Sequence, residues 1–329
     1  MLLPVLPGFL LALAALATLG SSIPTDTTMQ QALGKLNRCK AIAQRARVLA
    51  VDFDKTLTVA DTTADVVAVA KRKHPNYRDF QWFTDEYMKD YDVYDAKWQP
   101  IVDARARQHT VDKELLDEYL EALRPVEEAS LRRVSDQGIL AGVSRAEFAA
   151  GGRAVAFQQG AAAAISQFLS NSSASGSSSS PRYVHIISVN WSADFIRGAL
   201  EAHGVPVDDS RIAIHSNSPE FSTASELSTG VLRPRMVVAS DKVSKISEIK
   251  TEIAKELGAE PFVAYAGDSL TDLPALLAAD VGLFVGQSSS VAKWCEWLGI
   301  KFGQARDGHG AKTLHRLAGW NEANKLITQ

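Results

Sequence analysis

The chain contains little cysteine and has no surplus of positive charge. Only two cysteines, Cys39 and Cys295, occur among 329 residues, which excludes a disulfide framework. No group of histidines and cysteines has the spacing of a zinc site. The net charge of -3 provides no basic surface of the size that nucleic acid or an anionic membrane requires. We therefore expect no nucleic-acid partner, and no membrane partner once any N-terminal segment is removed.

The N-terminus lacks charge altogether. The first twenty residues carry no ionisable side chain and are mostly apolar, as in a signal peptide, but a basic start is missing and Pro4 and Pro7 interrupt the run. We interpret residues 1–28 either as a signal-like segment or as a wrongly assigned start, with Met29 as the alternative first residue. In both cases the segment is excluded from the predicted fold.

The rest of the chain has the composition of a globular protein, 46% hydrophobic and 22% charged, and its length suggests about two domains. Between residues 62 and 160 the patterns predict helices and no convincing strand. Farther along, predicted strands (183–187, 211–216, 262–266 and 281–285) alternate with predicted helices (192–203, 242–257 and 271–279).

This order predicts an α/β fold: a Rossmann-like parallel sheet with helices on both faces, and an all-α cap inserted after the first strand. The predicted hydrolase core comprises residues 29–61 and 165–329, and the predicted helical cap comprises residues 62–164. Residues 170–181 are rich in serine and are predicted to form a flexible loop within the core.

Two aspartates follow an apolar run at residues 48–51. If the strand continues through Asp54, the carboxylates of Asp52 and Asp54 face the same crevice, because residues i and i+2 of a strand point the same way. Two adjacent carboxylates are costly unless a cation neutralises them or one is protonated. This pair therefore favours a metal site, an acid/base role, or both. The alternative is a strand end with an Asx turn, followed by a threonine that starts a helix.

Three further segments place polar residues at strand ends or helix starts. Ser188 ends an apolar strand, Lys242 begins a helix, and Asp268 and Asp272 follow the strand that ends near Gly267. In order and spacing the four segments resemble the haloacid dehalogenase superfamily, specifically its phosphatases with a helical cap after the first motif. The resemblance covers residues 47 to about 303.

The resemblance implies a role for each matching residue. Asp52 matches the nucleophile, which forms an aspartyl-phosphate, and Asp54 matches the general acid/base. Mg²⁺ is the implied cofactor, held by Asp52, the backbone carbonyl of Asp54, Asp268 and, directly or through water, Asp272.

The implied phosphate-binding residues are Thr56, Ser188, Asn190 and Lys242. Lys245 competes with Lys242 for this role, and Asn190 and Trp191 are expected to line the pocket. A plain strand-end hydroxyl at Ser188, and helix-start packing at Asn190 and Trp191, are the structural alternatives.

A closer resemblance lies in segments 188–197, 241–243, 267–273 and 279–282. They are similar to the phosphatase domain fused to thiaminase-II-type domains in plants, which hydrolyses thiamine monophosphate. A cationic thiazolium ring suits the faces of aromatic side chains together with carboxylates. The predicted cap has both between residues 77 and 98, although most of these aromatics are expected to form the core of the cap. The aromatic side chains are Tyr77, Trp82, Phe83, Tyr87, Tyr91, Tyr94 and Trp98.

The sequence therefore predicts a Mg²⁺-dependent phosphatase for a small-molecule phosphate ester. A phosphomutase, or a non-catalytic protein of the same fold that binds phosphate ligands, is the alternative. A glycan on the sequon at Asn190 would block the predicted site, which favours the cytoplasm. The secretory pathway is the alternative if residues 1–22 are a true signal peptide. The oligomeric state is not predicted.

Overall fold

The computed structural model describes residues 42–171, 181–207, 210–303 and 313–328. Within these ranges six parallel strands form one sheet in the order β3-β2-β1-β6-β7-β8, and β4 and β5 form a separate antiparallel hairpin. The strands are β1 (Ala46–Val51), β2 (Tyr183–Ile187), β3 (Ile212–His215), β4 (Ser218–Phe221), β5 (Ser228–Arg233), β6 (Phe262–Gly267), β7 (Val281–Val285) and β8 (Thr313–Leu317).

The helices separate the strands of the sheet along the chain, and six of those in the described ranges lie between β1 and β2. These six are α1 (Thr63–Lys73), α2 (Phe80–Arg107), α3 (Lys113–Glu121), α4 (Arg124–Asp136), α5 (Arg145–Gly152) and α6 (Ala161–Ser170). The others are α7 (Ala193–Ala202), α8 (Ala239–Leu257), α9 (Leu273–Ala278), α10 (Ser289–Trp297) and α11 (Trp320–Thr328). The predicted fold class is confirmed: a Rossmann-like parallel sheet with a helical insertion after its first strand.

Strand β1 lies at the centre of the sheet because both of its faces are apolar. Its residue Val51 pairs with Ile186 of β2 on one side and with Ala266 of β6 on the other, and all three are fully buried. From β1 the chain builds the sheet first towards β3 and later, from β6, towards β8. The carboxyl ends of β1 and β6 therefore flank the point where the strand order reverses, which is where open α/β sheets bind their ligands.

The hairpin β4–β5 packs on the helical insertion. The Gly142 amide donates to the Ser228 carbonyl, and the Ser228 amide donates to the Val143 carbonyl, both over 2.8 Å. The sequence predicts only a loop or hairpin here, and its place beside the insertion depends on these long-range contacts. Helix α6 packs against β2 and α11, on the core side. The domain division at residues 62–164 stays a prediction.

Some predicted boundaries differ from the observed ones. Strand β1 ends at Val51, and residues 54–57 form a turn, so Asp52 and Asp54 are not successive outward positions of one strand. The pattern of residues 131–140 predicts a short helix there, but α4 runs from Arg124 to Asp136, and Pro125 in its first turn suits a helix start. Strand β8 was not predicted.

Several expectations from the sequence concern residues outside the described ranges. Residues 1–28, and most of the serine-rich segment 170–181, lie outside the described residues. None of the helices in the described ranges combines the length and the hydropathy of a membrane span.

Candidate active site

The ends of three neighbouring strands bring the predicted site residues to one crevice. Asp52 directly follows β1, Ser188 directly follows β2, and Asp268 directly follows β6. The Asp52 amide donates to the Ala266 carbonyl over 2.9 Å, which continues the pairing of β1 and β6 one residue beyond the strand. Lys242 reaches the same crevice from the first turn of α8.

Three carboxylates form a cluster at this crevice. Oxygens of Asp52, Asp268 and Asp272 all lie within 4.8 Å of one another. The ammonium group of Lys242 donates to Asp52 Oδ1 over 2.9 Å and to Asp272 Oδ1 over 2.7 Å. Thr56 donates its hydroxyl to Asp268 Oδ1 over 2.9 Å and lies 3.3 Å from Asp52 Oδ2. One lysine and one threonine therefore connect all three carboxylates.

Burial makes the charges of this cluster depend on one another. Burial raises the pKa of Asp52 well above its usual value, although Lys242 opposes the shift. Burial, with the Asp272 charge, raises the pKa of Asp268 to about 6. Burial also favours neutral Asp272, but Lys242 outweighs it and the pKa of Asp272 is lowered. The negative charge of the cluster is therefore stabilised mainly on the carboxylate of Asp272.

Asp272 has further hydrogen-bond partners in addition to Lys242. The hydroxyl of Tyr265 donates to its Oδ1 over 2.7 Å, and the hydroxyl and amide of Ser269 donate to its Oδ2 over 2.6 and 3.1 Å. A Cβ atom at Gly267 would lie only 2.6 Å from Asp272 Cβ and Cγ. A residue without a side chain at position 267 therefore lets Asp272 approach the end of β6.

Asp54 belongs to a second group of residues, at the start of the helical insertion. Thr62 donates both its hydroxyl (2.6 Å) and its amide (2.8 Å) to Asp54 Oδ1. Asn190 donates from Nδ2 to Asp54 Oδ2 over 3.0 Å. Burial raises the pKa of Asp54, while these hydrogen bonds oppose the shift. A carboxyl group in such a site is suited to carrying a proton.

Ser188 belongs to the group around Asp54, which it joins through Asn190. Its buried hydroxyl oxygen accepts the Asn190 amide over 3.1 Å, and its own amide donates to the His215 carbonyl over 2.9 Å. The Asn190 side-chain oxygen in turn accepts the Ser192 amide over 3.1 Å, at the first turn of α7. The chain after β2 thus fixes the direction in which the Asn190 amide points.

The carboxylate cluster fits the magnesium ion implied by the resemblance. Mg²⁺ prefers oxygen ligands and is usually held by one or two carboxylates with several waters. Asp52, Asp268 and Asp272 offer such oxygens from two adjacent strand ends. The Asp54 carboxylate is not part of the cluster, since both of its oxygens are engaged by Thr62 and Asn190. Only its backbone carbonyl enters the predicted ligand set.

A cavity of about 480 Å³ opens between the helical insertion and the sheet. We call it the cap cavity; its walls include Asp61, Phe80, Phe83, Tyr87, Glu127 and Trp191. Thr62 and Asn190, which hold Asp54, are sequence neighbours of Asp61 and Trp191, so the cavity adjoins the Asp54 side of the site. A larger cavity of about 800 Å³ lies between α3 and α8, and neither cavity is lined by a predicted catalytic, phosphate-binding or metal-binding residue.

The structure thus places the predicted residues in two groups. Asp52, Thr56, Lys242, Asp268 and Asp272 form one group, with hydrogen bonds or ion pairs joining them. Asp54, Ser188 and Asn190 form the other. The competing lysine, Lys245, pairs with Glu248 along its own helix instead.

Three residues that contribute to the site are not among those predicted from the sequence. Thr62 binds Asp54, Tyr265 binds Asp272, and Glu127 lines the cap cavity. Thr62 had a weak signal, because it starts the helical pattern directly after the first motif. For Glu127 there was none, since a glutamate in a helix is normally exposed.

Comparison with known proteins gives relatives in sequence and fold. No protein-family model matches the chain. The bifunctional TH2 protein, mitochondrial, of Arabidopsis thaliana is 26% identical over 270 residues, which are 78% of this chain and 42% of that protein. The chain thus spans about two fifths of the length of this curated relative.

Solved structures with a similar chain path include phosphatases. A substrate-bound phosphoserine phosphatase has 13% identity and a TM-score of 0.46, covering 86% of this chain and 99% of that one. A HAD family hydrolase from Salmonella enterica serovar Typhi has 18% identity and a TM-score of 0.48, covering 86% and 72%. The resemblance to a plant bifunctional protein, predicted from the motifs, is confirmed by the similarity to the Arabidopsis protein.

Proposed function

We propose that the protein is a Mg²⁺-dependent phosphatase that hydrolyses a small-metabolite phosphomonoester through an aspartyl-phosphate on Asp52. One observation carries the proposal: two aspartates only two residues apart have different surroundings. Asp52 pairs with Lys242 in the carboxylate cluster, whereas Asp54 is held by Thr62 and Asn190 beside the cap cavity. Two carboxyl groups in different environments are suited to different roles, one as nucleophile and one as proton carrier.

The reaction proceeds in two balanced steps. A carboxylate oxygen of Asp52 attacks phosphorus, the bond from phosphorus to the ester oxygen breaks, and Asp54 gives its proton to the departing alkoxide. Water then attacks the phosphorus of the acyl-phosphate and loses a proton to Asp54, which frees the Asp52 carboxylate and inorganic phosphate. The raised pKa of Asp54 supports a carboxyl group that is protonated for the first step.

The remaining site residues bind the phosphoryl group and the metal ion in this proposal. Lys242, Thr56 and Ser188 carry buried donors at the crevice, and Asn190 orients Asp54. Asp52, Asp268, Asp272 and the Asp54 carbonyl would hold Mg²⁺, which when bound neutralises negative charge on the carboxylates and phosphoryl oxygens. That neutralisation also allows an anionic ester to approach a cluster of acids.

Thiamine monophosphate is the candidate substrate that we put forward. The support is the resemblance of segments 188–197 and 267–273 to the plant phosphatase domain, together with the similarity to the Arabidopsis protein. Because the match covers only part of that protein, its activity comes to this chain only as a proposal.

The test is phosphate release by the full chain with Mg²⁺. The panel of esters comprises thiamine monophosphate, pyridoxal phosphate, phosphoserine, phosphocholine and sugar phosphates. We expect turnover that Asp52→Asn abolishes and that a chelator removes until Mg²⁺ is restored. Asp268→Asn should raise the Mg²⁺ concentration that gives half-maximal rate, whereas Asp65→Asn, an exposed aspartate of α1, should not.

Three results would contradict the proposal. Phosphate release retained by Asp52→Asn would refute the nucleophile, and release unaffected by chelation would refute the metal. Transfer of the phosphoryl group to another position of the substrate, without release, would identify a phosphomutase. The ranking of kcat/KM across the panel then selects the substrate class.

A further inference from the structure

The position of the cap cavity identifies which part of a substrate it would receive. Asp61 and Thr63 line the cavity on either side of Thr62, and Val189 and Trp191 line it on either side of Asn190. Thr62 and Asn190 are the two residues that hold the Asp54 carboxylate. In the proposed reaction Asp54 protonates the departing oxygen, and the cap cavity is lined by sequence neighbours of the two residues that hold Asp54.

The walls of the cap cavity are rich in aromatic rings. Phe80, Phe83, Tyr87 and Trp191 all line it, and the rings of Phe80 and Trp191 are in edge contact with centroids 6.2 Å apart. Its volume of about 480 Å³ lies within the usual range for small-molecule pockets. The cavity is therefore large enough for a group with one or two rings, or for a compact branched group.

The charges of the lining residues have one sign. Glu127 and Asp61 contribute carboxylates, and no lysine, arginine or histidine is among the residues that line the cavity. Tyr87 donates its hydroxyl to Glu127 Oε1 over 2.8 Å. Within the described part of the chain, no basic side chain forms an ion pair with Glu127 or influences its pKa appreciably.

A carboxylate in this environment lacks a counter-charge. Burial raises the pKa of Glu127, and the Tyr87 hydroxyl offsets only part of that shift. A cation in the cavity would supply the missing charge, and the faces of aromatic rings attract cations as well. A neutral or anionic group would leave Glu127 uncompensated.

We propose that the cap cavity binds the leaving alcohol of the substrate, and that Glu127 selects an alcohol that carries a positively charged ring or quaternary nitrogen. The inference rests on the proposed phosphatase activity for the orientation of the substrate. It goes beyond that activity by naming Glu127 as the residue that recognises the leaving group.

The test uses two esters that match in shape and differ in charge. One is 2-(N-methylpyridinium-3-yl)ethyl phosphate, and the other is 2-(3-methylphenyl)ethyl phosphate. We expect the full chain with Mg²⁺ to prefer the cationic ester by about tenfold or more in kcat/KM, from a charge-assisted contact and ring faces together. Glu127→Gln should reduce this ratio to within about threefold of unity, with the neutral ester affected less than about twofold.

A neighbouring glutamate provides the control. Glu128 lies on the same helix, does not line the cavity and has a side chain that is 44% exposed. Glu128→Gln should therefore leave the ratio unchanged. A ratio near one in the unsubstituted chain would overturn the proposal by itself, even if Glu127→Gln does not fold. An unchanged ratio in folded Glu127→Gln would also overturn it.

Binding of the free alcohols separates this inference from the phosphatase proposal. Calorimetry with 3-(2-hydroxyethyl)-1-methylpyridinium and with 2-(3-methylphenyl)ethanol needs no chemistry at Asp52. Tighter binding of the cation, weakened by Glu127→Gln, supports the cavity assignment even if neither ester is hydrolysed. Equal binding of the two alcohols overturns the assignment even if phosphate release and its dependence on Asp52 are established.

Discussion

The ammonium nitrogen of Lys242 lies 2.9 Å from a carboxylate oxygen of Asp52, and both side chains are almost completely buried. The same nitrogen contacts Asp272, which has no solvent exposure. Burial alone would lower the pKa of Lys242, but Asp272 and Asp52 raise it, so the lysine stays charged. The cation therefore lowers the cost of placing a nucleophilic carboxylate in a crevice beside two further acids.

Replacing Lys242 by methionine should lower both stability and activity. Removing one partner of a buried ion pair leaves unpaired charge, and we expect a loss of about 3–5 kcal/mol in the free energy of unfolding without Mg²⁺. With Mg²⁺ present, kcat should fall about 10²- to 10³-fold, because a donor to the phosphoryl oxygens is lost. Urea unfolding and phosphate release measure the two effects.

Lys245→Met is the matched control for this change. Lys245 lies one turn farther along α8 and pairs with Glu248, a pair that is partly exposed. Exposed pairs contribute little, so stability should change by less than about 1 kcal/mol and turnover by less than about twofold. If Lys245→Met had the larger effect on turnover, the assignment of the lysine would be wrong.

Thr62→Val should impair the proton transfer assigned to Asp54. Valine preserves the shape but removes the hydroxyl that donates to Asp54 Oδ1, while the amide at position 62 remains able to donate. The Thr62 hydroxyl does not cap α1, so the helix start loses no bond. We expect kcat for alkyl phosphates to fall about tenfold or more, since general acid catalysis contributes about 10²- to 10⁴-fold.

A comparison of leaving groups checks the reason for this loss. p-Nitrophenolate departs without needing a proton, so p-nitrophenyl phosphate should be affected much less by Thr62→Val than an alkyl phosphate. Thr251→Val removes a hydroxyl that bonds only to the backbone of its own helix and should affect neither ester. Equal losses on both esters would show that Thr62 acts on binding rather than on the proton.

A histidine pair in the sheet should make stability depend on pH. Nδ1 of His185 and Nε2 of His215 lie 2.9 Å apart, and the rings are stacked. Burial, together with His215 and Lys245, lowers the pKa of His185 to about 3. Burial and Lys245 lower the pKa of His215 to about 4, although Glu248 opposes this shift.

The direction in which stability changes with pH follows from the unfolded chain, where histidine has a pKa of about 6.5. Below that pH the unfolded state binds protons that the folded state does not, so stability is present above pH 6.5 and is lost as pH falls towards 4. Between pH 7.5 and 5.5 each histidine should contribute a loss of about 1.4 kcal/mol.

Urea unfolding of His215→Gln across this pH range provides the measurement. The difference in unfolding free energy between the unsubstituted chain and the variant should shrink by about 1 kcal/mol as pH falls from 7.5 to 5.5. A difference that is constant with pH would mean that the folded histidines titrate as freely as unfolded ones.

The site residues at the strand ends are predictable from sequence, whereas the role of Glu127 in the cap cavity is not. Asp52, Ser188 and Asp268 each interrupt an apolar run, and in a parallel sheet the carboxyl ends of neighbouring strands lie together. Lys242 is distinguished from Lys245 only by the rotation of α8 against the sheet, which the sequence does not specify. Glu127 lies near the start of an amphipathic helix, where a glutamate is normally solvated. Its burial depends on Tyr87, which lies 40 residues earlier in the chain.

Gly267→Ala should disturb the site from the end of β6. A methyl group there would lie 2.6 Å from Asp272 Cβ and Cγ, so Asp272 or the strand end must move. Overpacking of this kind costs about 1–3 kcal/mol. Displacement of Asp272 would also change its contacts with Lys242, Tyr265 and Ser269.

We therefore expect Gly267→Ala to lower kcat and to raise the Mg²⁺ concentration needed for activity, beyond its effect on stability. Gly319→Ala is the control, because a Cβ atom there has no neighbour within 4 Å. Thermal unfolding and phosphate release over a Mg²⁺ titration distinguish the two glycines. If Gly267→Ala kept the unsubstituted Mg²⁺ dependence while losing stability, the position of Asp272 would matter for folding rather than for the metal site.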